Sequence, residues 1–223
     1  MSALVQLLAS HSSILVLDAA SSTVQVGLLR VGAAPIWHRS KEEAGQAVFP
    51  LVDSCLTQSG REMTEIKAFI YCEGPGSMLG IRTVAMAIRT WMAERPRPAY
   101  YYQSLTLLAY ELRRTGQIPP FSVIADARRD TWHCVTVGDD VSPLLRVPTA
   151  ELAGGTEPLW QPAAFRAFVP APRPTQDCSY DASTLLAAHD GVDLFTATDA
   201  PDAFQHSVPE YKKWSPQVHR APS

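Results

Sequence analysis

The segment Glu73-Gly74-Pro75-Gly76-Ser77-Met78-Leu79-Gly80-Ile81-Arg82 constrains this chain more than any other, because it joins a short apolar run at 68–72 to a long apolar run at 79–92. The first run reads as a buried strand and the second as a helix, so the glycines sit at a strand-to-helix corner. Gly74 and Gly76 permit backbone angles closed to other residues, and Pro75 restricts one φ. Ser77 stands where an N-cap would accept an orphan backbone N–H. Two readings follow. The helix N-terminus either faces an anion lodged in the turn, or the glycines only let a tight corner close. A Walker loop is excluded, since no Gly-Lys-Ser/Thr ending is present.

Strand and helix patterns recur on both sides of this corner. Residues 14–17 and 23–29 are β-rich runs joined by a turn containing Asp18, Ser21 and Ser22, and residues 33–40 add a third strand. Ala44, Ala47, Val48, Leu51, Val52, Cys55 and Leu56 repeat at three- and four-residue steps, marking an amphipathic helix that Gly60 ends. Pro50 is expected in or near its first turn, where a missing N–H is harmless; deeper in, it would kink the helix. After a helix at 105–114, runs at 121–125 and 131–137 repeat the strand, Asp-bearing turn, strand pattern with Asp126 in the turn. Two copies suggest a duplicated α/β fold divided as 1–103 and 104–223. Proline-rich residues 142–176 lack periodicity and read as loops around one or two strands.

Gly74-Pro75-Gly76-Ser77, Gly80 and Arg82 resemble the glycine-rich signature of the TsaB (YeaZ) family. The stretches 15–21, 104–109 and 124–128 follow in the family's order and spacing, and Pro209-Glu210-Tyr211 resembles its close. The resemblance implies an actin/Hsp70-like (ASKHA, ribonuclease H-like) duplicated fold with mixed sheets and packed helices. It also implies a function: a non-catalytic scaffold of the complex that makes N6-threonylcarbamoyladenosine at position 37 of tRNA. The partners would be a TsaD-type transferase and a TsaE-type ATPase, with tRNA met only through the complex. Family members pair with TsaD or with themselves through two first-domain helices, here the ones over 44–58 and 79–92. Val48, Val52, Cys55, Leu79 and Met86 are therefore expected at a partner interface, and a homodimer is an alternative assembly. In the helix over 79–92, Leu79, Met86 and Met92 add apolar surface outside the stripe Ile81, Val84, Ile88, Trp91, which either packs within the chain or meets a subunit; the resemblance favours the subunit.

For chemistry carried by the chain itself, Asp18 and Asp126 are the candidate carboxylates, with Ser21, Ser22 and Thr23 as phosphate donors. Each Asp can equally well satisfy backbone N–H groups of its own turn, with Arg128 pairing Asp126 at the surface. Gly154-Gly155 offers a floor for a nucleotide base or simply a turn. The paired metal-binding histidines of TsaD have no counterpart, because all six histidines are far apart in sequence. No cofactor is therefore required, and nucleotide is expected only as weak Mg-ATP or ADP binding at a subunit interface. Ala44-Gly45 and Met78-Leu79 depart from the family pattern and keep a diverged paralogue open. A small ATP-dependent kinase or ATPase of the same superfamily, using Asp18 and Asp126, is the alternative from another class.

The remaining features set bounds. A net charge of −3 over 223 residues offers no long-range attraction to nucleic acid. Cys55, Cys72, Cys134 and Cys178 form no C-x-x-C pair and read as reduced core thiols. With no basic residue ahead of the apolar run near the N-terminus and no apolar stretch of membrane-spanning length, a cytoplasmic protein without a membrane contact is expected.

Overall fold

The computed structural model describes residues 1–204, so Pro209-Glu210-Tyr211, His206 and His219 lie outside the described residues. The elements in chain order are α1 (Leu4–His11), β1 (Ser13–Asp18), β2 (Val24–Arg30), β3 (Ile36–Ser40), α2 (Ala44–Ser59), β4 (Ala68–Gly74), α3 (Met78–Glu94), β5 (Ala99–Gln103) and α4 (Ser104–Arg114). They continue as β6 (Phe121–Asp126), β7 (Thr131–Val137), β8 (Leu145–Pro148), α5 (Thr149–Gly154), β9 (Leu159–Pro162), β10 (Thr175–Cys178), α6 (Ala182–Ala188) and β11 (Thr196–Thr198). They build two mixed sheets, ordered β11-β5-β4-β1-β2-β3 and β10-β9-β6-β7-β8.

Within each sheet three strands run antiparallel as a meander, β1-β2-β3 and β6-β7-β8. Two further strands then add parallel to the first strand of the meander, β4 and β5 in one sheet and β9 and β10 in the other. The second copy carries less helix. The six residues of α5 stand where the sixteen of α2 stand in the first copy, and loop replaces the counterpart of α3. This is a duplicated actin/Hsp70-like α/β fold with a shortened second half. Sheet membership changes between Gln103 and Ser104, and β11 then returns to pair with β5.

Burial follows from the two-sided position of the first sheet. Leu15 and Leu17 of β1 join the core beneath α2 and α3, whereas Ile14 and Val16 face the core shared with α4, α6 and the second sheet. A strand covered on both faces needs apolar residues at every position, so β1 and β4 show runs rather than alternation. α1, which periodicity alone did not mark, packs Leu4 and Leu7 into the shared core; Ser2 and Phe195 exchange backbone hydrogen bonds beside it.

Two expectations are corrected. Pro50 lies in the second turn of α2, because the helix already begins at Ala44. The proline and Gln46 are both exposed, so the carbonyl that loses its N–H partner can reach water. Residues 142–176 hold more order than loops around one or two strands: β8, α5, β9 and the start of β10 all fall there.

Candidate functional site

At the corner, β4 is buried along its whole length and delivers the chain into the glycine turn at φ 118° for Gly74 and 155° for Gly76. A Cβ on Gly76 would stand 2.2 Å from the Ala20 carbonyl oxygen, and one on Gly80 would stand 2.4 Å from that of Ala19. No side chain fits there. Ser77 N donates to the Ala20 carbonyl at 2.7 Å, and its Oγ caps α3 by accepting from Gly80 N at 3.3 Å. Ser104 Oγ adds a bond to the Pro75 carbonyl at 2.6 Å. The β1–β2 turn packs directly against both glycines, and Ser77 N and Gly80 N are taken by protein acceptors, so the glycines serve a tight corner. Arg82 projects outward, exposed and without an ion pair among the described residues.

Asp18 closes β1 and is fully buried. Its Oδ1 accepts from Ala20 N at 2.9 Å, while Oδ2 accepts from the hydroxyls of Tyr102 and Tyr180, the latter at 2.5 Å. Tyr102 comes from β5, and Tyr180 precedes α6 in the second half of the chain. Burial pushes the Asp18 carboxyl above its usual range, and the two tyrosine hydroxyls partly oppose that by bonding the carboxylate. Every oxygen of Asp18 is thus satisfied by protein, in a place shut from solvent, and as it stands it cannot hold a hydrated magnesium ion. Nearby, Ser21 Oγ donates to the Thr23 carbonyl and accepts from Thr23 N, a closed local turn, while Ser22 is exposed.

Asp126 is only partly buried, and it too serves its turn: Oδ1 accepts from Arg128 N at 2.6 Å and Oδ2 from Phe168 N at 2.7 Å. The expected pairing with the Arg128 guanidinium is replaced by a stack, 4.2 Å over the Phe168 ring. Gly154 and Gly155 are the end of α5 and its cap, so they too are turn residues. Among the described residues, no three His, Cys, Asp or Glu are grouped to hold a metal. The four cysteines are free and buried.

Sequence reasoning gave Glu73 no role beyond a departure from the family pattern. It is 9% exposed, receives a hydrogen bond from Gln103 Nε2 at 2.8 Å, and burial pushes its carboxyl up to about 7. Phe204 N also bonds its backbone carbonyl at 2.7 Å. The signal was a charge placed at the end of an otherwise apolar strand.

The helix pair α2/α3 sorts the expected interface residues into two groups. Val48, Val52 and Cys55 are 0%, 2% and 0% exposed against the chain's own sheet, so as interface residues they are corrected: they are core. Leu79 and Met86 are 72% and 56% exposed, and Phe49, which the periodic reading left out, is 49% exposed. Phe49 meets Trp91 edge-on at 6.0 Å, and Trp91 stacks on Phe69 at 5.6 Å. The outer faces of both helices therefore carry apolar groups joined to the core below.

Sequence and structure comparisons fit this geometry. A family model described as TsaD, tRNA N6-adenosine threonylcarbamoyltransferase, matches residues 39–143. The curated protein tRNA threonylcarbamoyladenosine biosynthesis protein TsaB of Escherichia coli (strain K12) is 36% identical over 70 residues, covering 31% of this chain and 30% of that protein. The match thus spans under a third of the relative's length. Among solved structures, YeaZ from Pseudomonas aeruginosa superposes with a TM-score of 0.54 at 21% identity, over 67% of this chain and 74% of that one. A protein described as uncharacterized, with similarity to peptidase YEAZ from Pseudomonas aeruginosa, superposes with a TM-score of 0.53 at 21% identity and the same coverage. By local sequence the chain is similar to TsaB, and by fold to the YeaZ structures.

Proposed function

We propose that this chain is a non-catalytic partner subunit in the synthesis of N6-threonylcarbamoyladenosine in tRNA, and that it binds a TsaD-type transferase through the outer faces of α2 and α3. The observation that carries the reading is the state of Asp18. A kinase or ATPase of this fold would need that acid open to metal and phosphate, whereas here two tyrosines seal it. The transfer chemistry then belongs to the partner, with a TsaE-type ATPase as a further component and the cytoplasm as the site of action. Any Mg-ATP or ADP would lodge weakly at a subunit interface. A homodimer through the same helices is the alternative occupant of that face.

The energetics support a docking surface. Phe49, Leu79 and Met86 are each about half exposed or more, and burying what remains exposed of the three is worth roughly 3 to 5 kcal/mol gross. Association itself costs ~4 kcal/mol or more, so these anchors alone give weak binding and further contacts around them must contribute. The test is light scattering behind size exclusion, on the chain alone and mixed with the TsaD-type protein of the same genome. A one-to-one complex is expected. Met86→Glu should weaken it at least tenfold and leave the melting temperature of the isolated chain unchanged. Failure of the two proteins to co-elute at micromolar concentration would refute the proposal, and tight Mg-ATP binding by the chain alone would favour the kinase or ATPase instead.

A further inference from the structure

The β6–β7 turn, β8 and the loop after β9 bring four arginines close together, two of them against one aromatic ring. Arg128 lies 4.2 Å and Arg166 4.8 Å from the Phe168 centroid, measured from the guanidinium carbon. Arg146 reaches the same turn, its Nε donating to Thr131 Oγ1 at 2.7 Å and its Nη2 to the Ala127 carbonyl at 3.1 Å. Arg129 is exposed beside them. None of the four forms an ion pair among the described residues. Asp126 and Asp130 are the acids of the turn, and both Asp126 oxygens are already taken by backbone N–H groups.

The backbone beneath this cluster is strained. Arg128, Arg129 and Asp130 adopt φ of 62°, 52° and 55°, three consecutive L-residues in the left-handed region. Each such residue is disfavoured, and such conformations concentrate at functional sites. This one holds like charges together, which also opposes folding unless an anion offsets it. Phe168 and Val169 are 52% and 46% exposed alongside. Guanidinium planes layered on an exposed ring present a stacking surface for bases next to donors for phosphate. An acidic peptide would use the charge but leave the flat aromatic layer without a role.

We infer that Arg128, Arg129, Arg146, Arg166 and Phe168 form an RNA-binding face, in which the arginines meet backbone phosphates and the Arg-Phe layer stacks an unpaired base. This deepens the tRNA-modification reading and rests on it. It also revises the expectation that tRNA is met only through the complex: a net charge of −3 describes the whole chain and hides a local cationic patch.

The test is fluorescence anisotropy of the full chain with a labelled RNA stem-loop, read across salt from about 50 to 200 mM. Arg128→Gln and Arg166→Gln should each weaken binding and lower the log–log salt slope by ~0.7 to 0.9. Phe168→Ala should weaken binding about tenfold at every salt without changing the slope. Arg113→Gln, an exposed arginine on α4, is the charge-matched control and should bind as the parent does. Unchanged affinity and slope in the Arg128 and Arg166 variants, or equal weakening in the control, would overturn the inference. So would a loss of TsaD-type binding in those variants with RNA binding intact. The co-elution experiment is independent of this one: a complex that forms without RNA binding through this face refutes the face alone, and RNA binding without a complex refutes the scaffold reading alone.

Discussion

Glu73→Gln should make this protein more stable, and only above mildly acidic pH. In the fold the Glu73 carboxyl is pushed from its ordinary 4.5 up to about 7 by burial, and the Gln103 amide opposes that shift only in part. The proton is therefore bound more tightly in the folded state than in the unfolded chain. Below pH 4.5 both states are protonated and nothing is lost. As pH rises from 4.5 toward 7 the unfolded chain releases its proton while the fold retains it, so stability falls, and above 7 the full penalty persists. At ~1.36 kcal/mol per pH unit the loss comes to about 3 kcal/mol. Glutamine is close in size, remains neutral and can still bond Gln103. Urea unfolding followed by circular dichroism at pH 5, 6, 7 and 8 should show the variant ahead by less than about 1 kcal/mol at the lowest pH. The variant should lead by about 3 kcal/mol at the highest. Asp18 has a carboxyl raised in the same direction, but it is common to both proteins and cancels in the difference. A difference that stays flat across this range, or a variant that is less stable at pH 8, would refute the reasoning.

Asp18→Ala should cost about 3 kcal/mol in the same assay, because it leaves the buried hydroxyls of Tyr102 and Tyr180 without their acceptor. Isothermal titration should find no tight Mg-ATP binding in the parent for this substitution to remove. Gly76→Ala places a Cβ 2.2 Å from the Ala20 carbonyl oxygen, so it should lower the melting temperature by more than about 5 °C or abolish soluble expression. Gly45→Ala is the contrasting case: nothing lies within 4 Å of its Cβ and the position is helical, so stability should rise by roughly 0.5 kcal/mol in urea unfolding.

Much of this architecture was legible in the sequence because local physics dictates it. Apolar steps of three and four marked α2, and two hairpins with an acid in the turn marked the duplication. The resemblance at 73–82 pointed to the fold. Other elements had no such signal. α1 is short and apolar on most sides, and β11 is three residues long, paired to a strand nearly a hundred positions earlier. The periodicity of α2 says that Val48, Val52 and Cys55 share a face, but it cannot say whether sheet or partner covers that face. The sheet does, and this moves the candidate surface to Phe49, Leu79 and Met86.

The chain's own residues determined the glycine corner, because no other side chain can follow that path past Ala19 and Ala20. They also determined the reduced core cysteines and the two-copy strand plan. Only the tertiary structure decided what the acids do. Asp18 and Asp126 occupy matching turns with similar neighbours, yet one is sealed by tyrosines from β5 and from the segment before α6, and the other holds open a turn of exposed arginines. A carboxylate's role depends on what approaches it from distant parts of the chain, and Tyr180 stands 162 positions from Asp18.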